Sequence, residues 1–302
     1  MNKKLRIALT VLLSAVFVFS AGKFALTQLD YQKGASDYQD AAQLADLPQL
    51  PQAPPQPPQP EAAPPPAADP PAQTPPSAAP DSSAPDASAP DASEPQEQPP
   101  EPEPEQPVYV DPYADALRDM DFTALRQVND DVVGWILIPG TNLSYPLLQG
   151  DDNDYYLNHT WRQARNSVGG IFLDYRDSRD LSDFHSIIYG HRVNNGTMFG
   201  QLHGYKDPSY FAAHPSFYIA DDNGSHRYDV FAVYEAVSGN TYMQEFSGDN
   251  EKQAFLNYCM DKSIYDTGVI PTTADRVVTL STCTGHGHSS RWVIQGVLHT
   301  PS

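Results

Sequence analysis

Proline sets the first limit on what this chain can fold into. Most of its 30 prolines fall between Pro48 and Pro112, in a stretch otherwise rich in Ala, Gln, Glu, Asp and Ser. Proline fixes φ and offers no N–H, and a segment of this composition has too little apolar surface to offset the entropy of ordering it. The tract contains a short repeat at 79–83, 84–88 and 89–93, each unit beginning Ala-Pro-Asp. Polyproline II character, with like charges over Glu94–Asp111, would keep it extended. Some sixty residues at ~3.1 Å each reach on the order of 190 Å. The chain therefore reads as a linker over 27–112 and one folded domain over 113–302, about 190 residues, which is ample for a single core.

Ahead of the tract, Met1-Asn2-Lys3-Lys4-Leu5-Arg6 precedes an apolar run, Ile7–Ala21. Basic residues followed by apolar ones suit both a membrane anchor and a signal peptide. Leu5 and Phe24–Leu26 extend the run toward the ~20 residues that span a bilayer, with Lys23 snorkelling. The expectation is an uncleaved anchor over 1–26, with cleavage near Ser20-Ala21-Gly22 as the alternative. Lys3, Lys4 and Arg6 would then remain cytoplasmic and the C-terminal domain would lie outside. Thr27–Leu47 is polar and Ala/Gln-rich and could continue the anchor as a helix. If the linker follows, its physical job is to hold the folded domain clear of the bilayer.

The net charge is −20. The folded part alone carries about −10, which speaks against nucleic acid as a partner. The two cysteines, Cys259 and Cys283, would be free to pair outside the cell. Cys259 sits in a helical stretch, Glu251–Lys262, and reads as a small buried apolar side chain.

Within 113–302 a helix is expected over Tyr113–Val128, from its apolar stripe. Strands are expected over Val132–Ile138, Leu143–Gln149, Gly169–Tyr175, His185–His191, Ser216–Ala220, Arg227–Val237, Arg276–Thr282 and Arg291–His299. Short helices fit Asp154–His159, Met198–His203, Pro208–Ala213 and Asn250–Lys262. About eight strands without regular βαβ alternation suggest a mostly β fold, a mixed barrel with added helices.

Three strand tips carry chemistry. Thr279-Leu280-Ser281-Thr282-Cys283 delivers a thiol, Tyr189-Gly190-His191 an imidazole, and Arg291 a guanidinium. A thiol attacks acyl carbon when its pKa is lowered or a base stands beside it. Histidine exchanges protons near neutral pH, and arginine can bind an oxygen that turns negative. Residue type supplies these roles, but spacing alone does not bring the three together. Cys283, His286 and His288 together are also potential zinc ligands, without a fourth ligand spaced near them. Asp151-Asp152-Asn153-Asp154 lacks the twelve-residue calcium pattern and reads as a solvated turn.

These motifs closely resemble the sortases, specifically class B. The resemblance rests on Tyr189-Gly190-His191, Asn195-Gly196-Thr197-Met198-Phe199-Gly200-Gln201-Leu202, Thr279–Cys283 and Arg291-Trp292-Val293-Ile294-Gln295-Gly296. Gly134-Trp135-Ile136, Ile138-Pro139-Gly140-Thr141, Tyr145–Gly150 and Asp152–His159 add to it. It runs from the first helix of the folded domain to the C-terminus, and the Pro-rich tract is not part of the family pattern. It implies an eight-stranded mixed β-barrel with an N-terminal helix and a helix inserted before the Cys-bearing strand, which Asn250–Lys262 fits.

It also implies a cysteine transpeptidase on the outer face of a Gram-positive membrane, needing no cofactor and no metal. Cys283 would attack the threonine carbonyl of a C-terminal sorting signal in a secreted protein and form a thioester. His191 would move the protons, and Arg291 would steady the oxyanion. The acceptor would be an amine of a peptidoglycan precursor, or a pilin lysine in polymerising relatives. Asn153, Leu157, Tyr189 and Ser281 match sorting-peptide contacts of the class, and Tyr242 and Met243 match a further pair across a one-residue gap. Many relatives carry an acid soon after the cysteine. Here the stretch is Thr284-Gly285-His286-Gly287-His288-Ser289-Ser290, which puts an acid's part in orienting His191 in question. A module that binds sorting signals without turning them over is the reading of another class.

Overall fold

The structure, a computed structural model, describes residues 3–48, 50, 111–237, 239–283 and 290–300. Eight strands close into a barrel. They are β1 (Val132–Leu137), β2 (Ser144–Leu148), β3 (Ile171–Leu173), β4 (His185–Gly190), β5 (Ser216–Asp221), β6 (Gly224–Ala236), β7 (Val277–Cys283) and β8 (Arg291–Leu298). Their order around the barrel is β1-β2-β3-β4-β7-β8-β6-β5. The β2–β3 and β4–β7 pairs are parallel and the others antiparallel, so the sheet is mixed, as expected from the sequence. Closure leaves no strand edge open to another chain.

The strands divide their side chains between two apolar clusters. Val278 and Leu280 of β7 join the main core with Trp135, Phe172, Ile188 and Phe217. Val277 of β7 instead joins Val293, Phe231 and the buried face of a helix, Phe255, Leu256 and Cys259. That helix spans Asp249–Lys262 and stands between β6 and β7, where a helix was expected before the Cys-bearing strand. Period-two alternation then puts Thr279, Ser281 and Cys283 on the same face of β7 as Val277, outside the main core.

Two expectations need correcting. The helix expected over Tyr113–Val128 is two short helices, α2 (Pro112–Leu117) and α3 (Thr123–Arg126). Asp111 caps α2 by accepting the N–H groups of Tyr113 and Ala114. Asp121 accepts the Thr123 N–H in the turn just before α3, and such local side-chain bonds to the backbone compete with one continuous helix where the apolar stripe is weak.

The second concerns the N-terminal segment. α1 runs unbroken over Lys3–Leu44. From Leu12 to Leu29 its large apolar residues are exposed, Phe17 at 73% and Val18 at 69% among them. From Asp30 onward it packs on the barrel, with Tyr38, Ala41 and Ala45 buried in the main core. Leu47 and Leu50 also pack there, and Leu44, Ala45, Asp46 and Pro48 line a cleft with Met120 and Ala124. α1 thus runs past residue 27, where the linker was expected to begin, as the helical continuation that Thr27–Leu47 suggested.

Candidate active site

Strand register explains why the three chemical groups meet. Tyr189 of β4 lies beside Ser281 of β7 in a parallel pair. Two residues further along each strand come His191 and Cys283, on the same face as Tyr189 and Ser281. On the other side of β7, Cys283 is paired directly across from Arg291 of β8. Cross-strand partners project to one face with Cβ atoms about 5 Å apart. Imidazole, thiol and guanidinium thus stand abreast on three neighbouring strands.

The imidazole is oriented from its far nitrogen. His191 Nε2 lies 2.6 Å from the Leu157 carbonyl oxygen. A carbonyl only accepts, so Nε2 carries the hydrogen and Nδ1 is left for the thiol. The hydrogen bond with Cys283 is the main reason the His191 pKa is raised; burial opposes it and the Leu157 carbonyl adds to it. In turn the hydrogen bond from His191 lowers the Cys283 pKa against the cost of burial, with Arg291 and Arg192 adding positive charge. Both shifts favour a thiolate beside an imidazolium. A backbone carbonyl thus occupies the position at His191 where the resemblance left an acid in question.

Cys259 is the opposite case. It is fully buried, receives the Tyr234 hydroxyl at 3.6 Å, and burial pushes its thiol up to about 12. It reads as packing, whereas Cys283 is only half-buried and has a lowered pKa.

The residues matched to peptide contacts gather around this centre. Tyr189 and Ser281 form the floor one rung below His191 and Cys283. The Tyr242 hydroxyl and Ser281 Oγ lie 2.9 Å apart, and the Tyr189 and Tyr242 rings are stacked at 6.5 Å. Met243 follows Tyr242, and the two line a cavity of about 400 Å³ with Arg176, Asp177 and His185. Leu157, 40% exposed, stands at the His191 side. Asn153 donates to Asp174 at 2.9 Å and accepts the Tyr175 N–H at 3.1 Å.

Asp174 was not singled out from the sequence, yet it ties this floor together. Its carboxylate accepts from Arg176 at 2.8 and 2.9 Å, from Asn153, and from the Tyr189 hydroxyl at 3.0 Å. Burial alone would raise its pKa, but these hydrogen bonds hold it down to about 2. His203 is another addition: its Nε2 lies 3.0 Å from the Cys283 carbonyl, at the exit of β7. No side-chain periodicity announces either role, since both depend on contacts between segments remote in sequence. Residues 284–289, with His286 and His288 of the zinc alternative, lie outside the described residues. Among the described residues no three His, Cys, Asp or Glu side chains cluster as metal ligands.

A thiol, an imidazole and a guanidinium side by side are the equipment of acyl transfer through a covalent enzyme intermediate. Known proteins agree. A sortase domain family model matches residues 136–299. Sortase B of Listeria monocytogenes is 38% identical over 189 residues, covering 62% of this chain and 75% of that one. The crystal structure of sortase B from B. anthracis in complex with AAEK1 superposes with a TM-score of 0.56 at 35% identity, covering 60% of this chain and 84% of that one. A Staphylococcus aureus sortase B–substrate complex gives 0.57 at 33% identity, covering 60% and 85%. The family match spans more than half of the chain, and the barrel, the inserted helix and the strand-tip thiol agree with it: this chain belongs to the sortase family of transpeptidases, in class B.

Proposed function

We propose that the chain is a membrane-anchored transpeptidase that joins a secreted protein to a cell-surface amine through Cys283. The Cys283 thiolate adds to the carbonyl carbon of the threonine in a sorting signal. The tetrahedral intermediate collapses to a thioester as the C–N bond breaks, and His191 gives its proton to the departing amine. An incoming amine then attacks the thioester, loses a proton to His191, and releases the thiolate. Arg291, across from the nucleophile, stabilises the oxyanion in both halves. Asn153, Leu157, Tyr189, Tyr242, Met243 and Ser281 hold the peptide. The observation that carries this reading is the register that sets His191, Cys283 and Arg291 side by side. The S. aureus relative crystallised as a substrate complex supports a sorting-signal peptide as the donor.

The acceptor is an amine of a peptidoglycan precursor, and a pilin lysine is the alternative within the same chemistry. The membrane side rests on α1, which is long and apolar enough to cross a bilayer. Ile7–Leu29, with Lys23 its only charge, makes ~35 Å of helix. Lys3, Lys4 and Arg6 stay cytoplasmic and the barrel lies outside. The test is a peptide-library cleavage assay on the full chain in detergent, with an added amine acceptor. Cleavage after threonine with transfer to the amine supports the reading, and bound peptide that is never cut refutes it.

A further inference from the structure

We infer that Tyr38, on the docked half of α1, is a positioning residue for His191, acting through Gly169 from a helix some 130 residues before the segment it holds. The inference rests on His191 being the proton carrier proposed above.

His191 is fixed by the Leu157 carbonyl, and both rest against one glycine. Gly169 has φ +63°, a left-handed conformation that glycine adopts freely. A methyl group there would lie 2.8 Å from His191 Cδ2 and 3.0 Å from the Leu157 oxygen. The imidazole and its acceptor therefore both fill the space that a side chain at Gly169 would need, and a shift of this residue moves them relative to each other. The Gly169 carbonyl is held from outside the barrel, by the buried Tyr38 hydroxyl donating at 2.6 Å. The Tyr38 ring is itself fixed edge-on against Tyr145 of β2, at 5.2 Å.

The stretch leading to Gly169 is clamped by the same helix. Thr160 donates to the Asp37 carboxylate at 2.8 Å, and Trp161 Nε1 to the Asp37 carbonyl at 2.5 Å. Asn166 donates to the Asp30 carbonyl at 2.8 Å, and the Ser167 N–H and hydroxyl both reach the Asp30 carboxylate. Gly34 lets the helix approach so closely that a methyl group there would sit 2.6 Å from Val168 Cγ2. The wall behind His191 is thus built from α1, whose other half is the candidate membrane span.

The test is alkylation of the full chain in detergent micelles with iodoacetamide, across pH 5–10, read by peptide mass spectrometry at Cys283 and Cys259. In the unaltered protein Cys283 reacts at a pH below the ordinary thiol range, and Cys259 stays unlabelled. Tyr38→Phe removes one oxygen, weakens the hold on His191, and moves the Cys283 profile to higher pH. Its rate at pH 6.5 then falls by about threefold or more. p-Aminophenylalanine at position 38 restores a donor and the original profile. Ser167→Ala weakens docking at the other end of the clamp and leaves the profile in place. His191→Ala is the reference for the site itself and moves the profile furthest. If it moves nothing, the proposed chemistry fails and this inference with it. If His191→Ala shifts the profile and Tyr38→Phe does not, the inference alone is overturned. An equal shift in Ser167→Ala, or labelling of Cys259 in Tyr38→Phe, also overturns it, because the hydroxyl then serves docking or folding in general.

Discussion

The two sides of the site are built in different ways. On one side Cys283 and Arg291 stand on adjacent strands of a barrel, placed by antiparallel register. On the other side His191 has just left β4, and its orientation depends on a carbonyl at Leu157 and a glycine at 169. The first side is held by a ladder of backbone hydrogen bonds that many residues share. The second is held by a few side-chain contacts, several from α1. The nucleophile's position should therefore tolerate single substitutions, and the base's position should not.

The largest effect separates chemistry from scaffold. Cys283→Ala should abolish formation of a covalent peptide adduct while near-UV circular dichroism stays unchanged, because the ladder does not need the thiol. Next comes His191→Ala, with a loss in turnover of about 10²–10⁴-fold. Its Cys283 alkylation profile should rise toward an ordinary thiol value of about 8.5, since the main cause of the lowered pKa is gone. Arg291→Ala should cost about 10²–10³-fold in turnover, as for removing one oxyanion donor, with peptide binding largely kept. Measuring kcat and KM separately checks that division.

Gly169→Ala sharpens the comparison most economically. It adds one methyl group on the loop side, two residues before β3, and strains a left-handed residue. It should lower turnover by about tenfold or more, since a misplacement near 1 Å can cost that much. An alanine at Ser281, on the ladder side, should cost less and act mainly on KM.

The smallest effect is on stability with pH. The Asp174 pKa is held below its unfolded value, so its contribution is present above about pH 4 and is lost as pH falls toward 2. Thermal melts of the full chain at pH 5 and pH 2.5 should therefore show a smaller drop for Asp174→Asn than for the unaltered protein. An equal drop would mean that the Arg176, Asn153 and Tyr189 contacts add nothing to stability.

What was legible in the sequence follows the same division. Period-two alternation and turn residues placed all eight strands within a few residues, and the thiol, imidazole and guanidinium were visible at their tips. The meeting of His191 with Cys283 was not, because β4 becomes the neighbour of β7 only through a parallel crossover. Asp121 was read as part of a continuous helix over Tyr113–Val128, although the chain breaks there into α2 and α3, and Asp111, which caps α2, was read as the end of the linker. Residues 30–45 looked like the start of a linker because they are polar and precede proline. Their partners, Thr160, Trp161, Asn166, Ser167 and Gly169, lie more than a hundred residues away, and no local pattern announces such pairing.

The central claim is that Cys283 forms a thioester with the peptide it cuts. The full chain in detergent should be quenched at low pH during turnover of a sorting-signal peptide and examined by mass spectrometry. The account predicts an acyl adduct on the peptide that contains Cys283, released by hydroxylamine and missing from Cys283→Ala. Cleavage that continues in Cys283→Ala, or that proceeds with no adduct at Cys283, would contradict it.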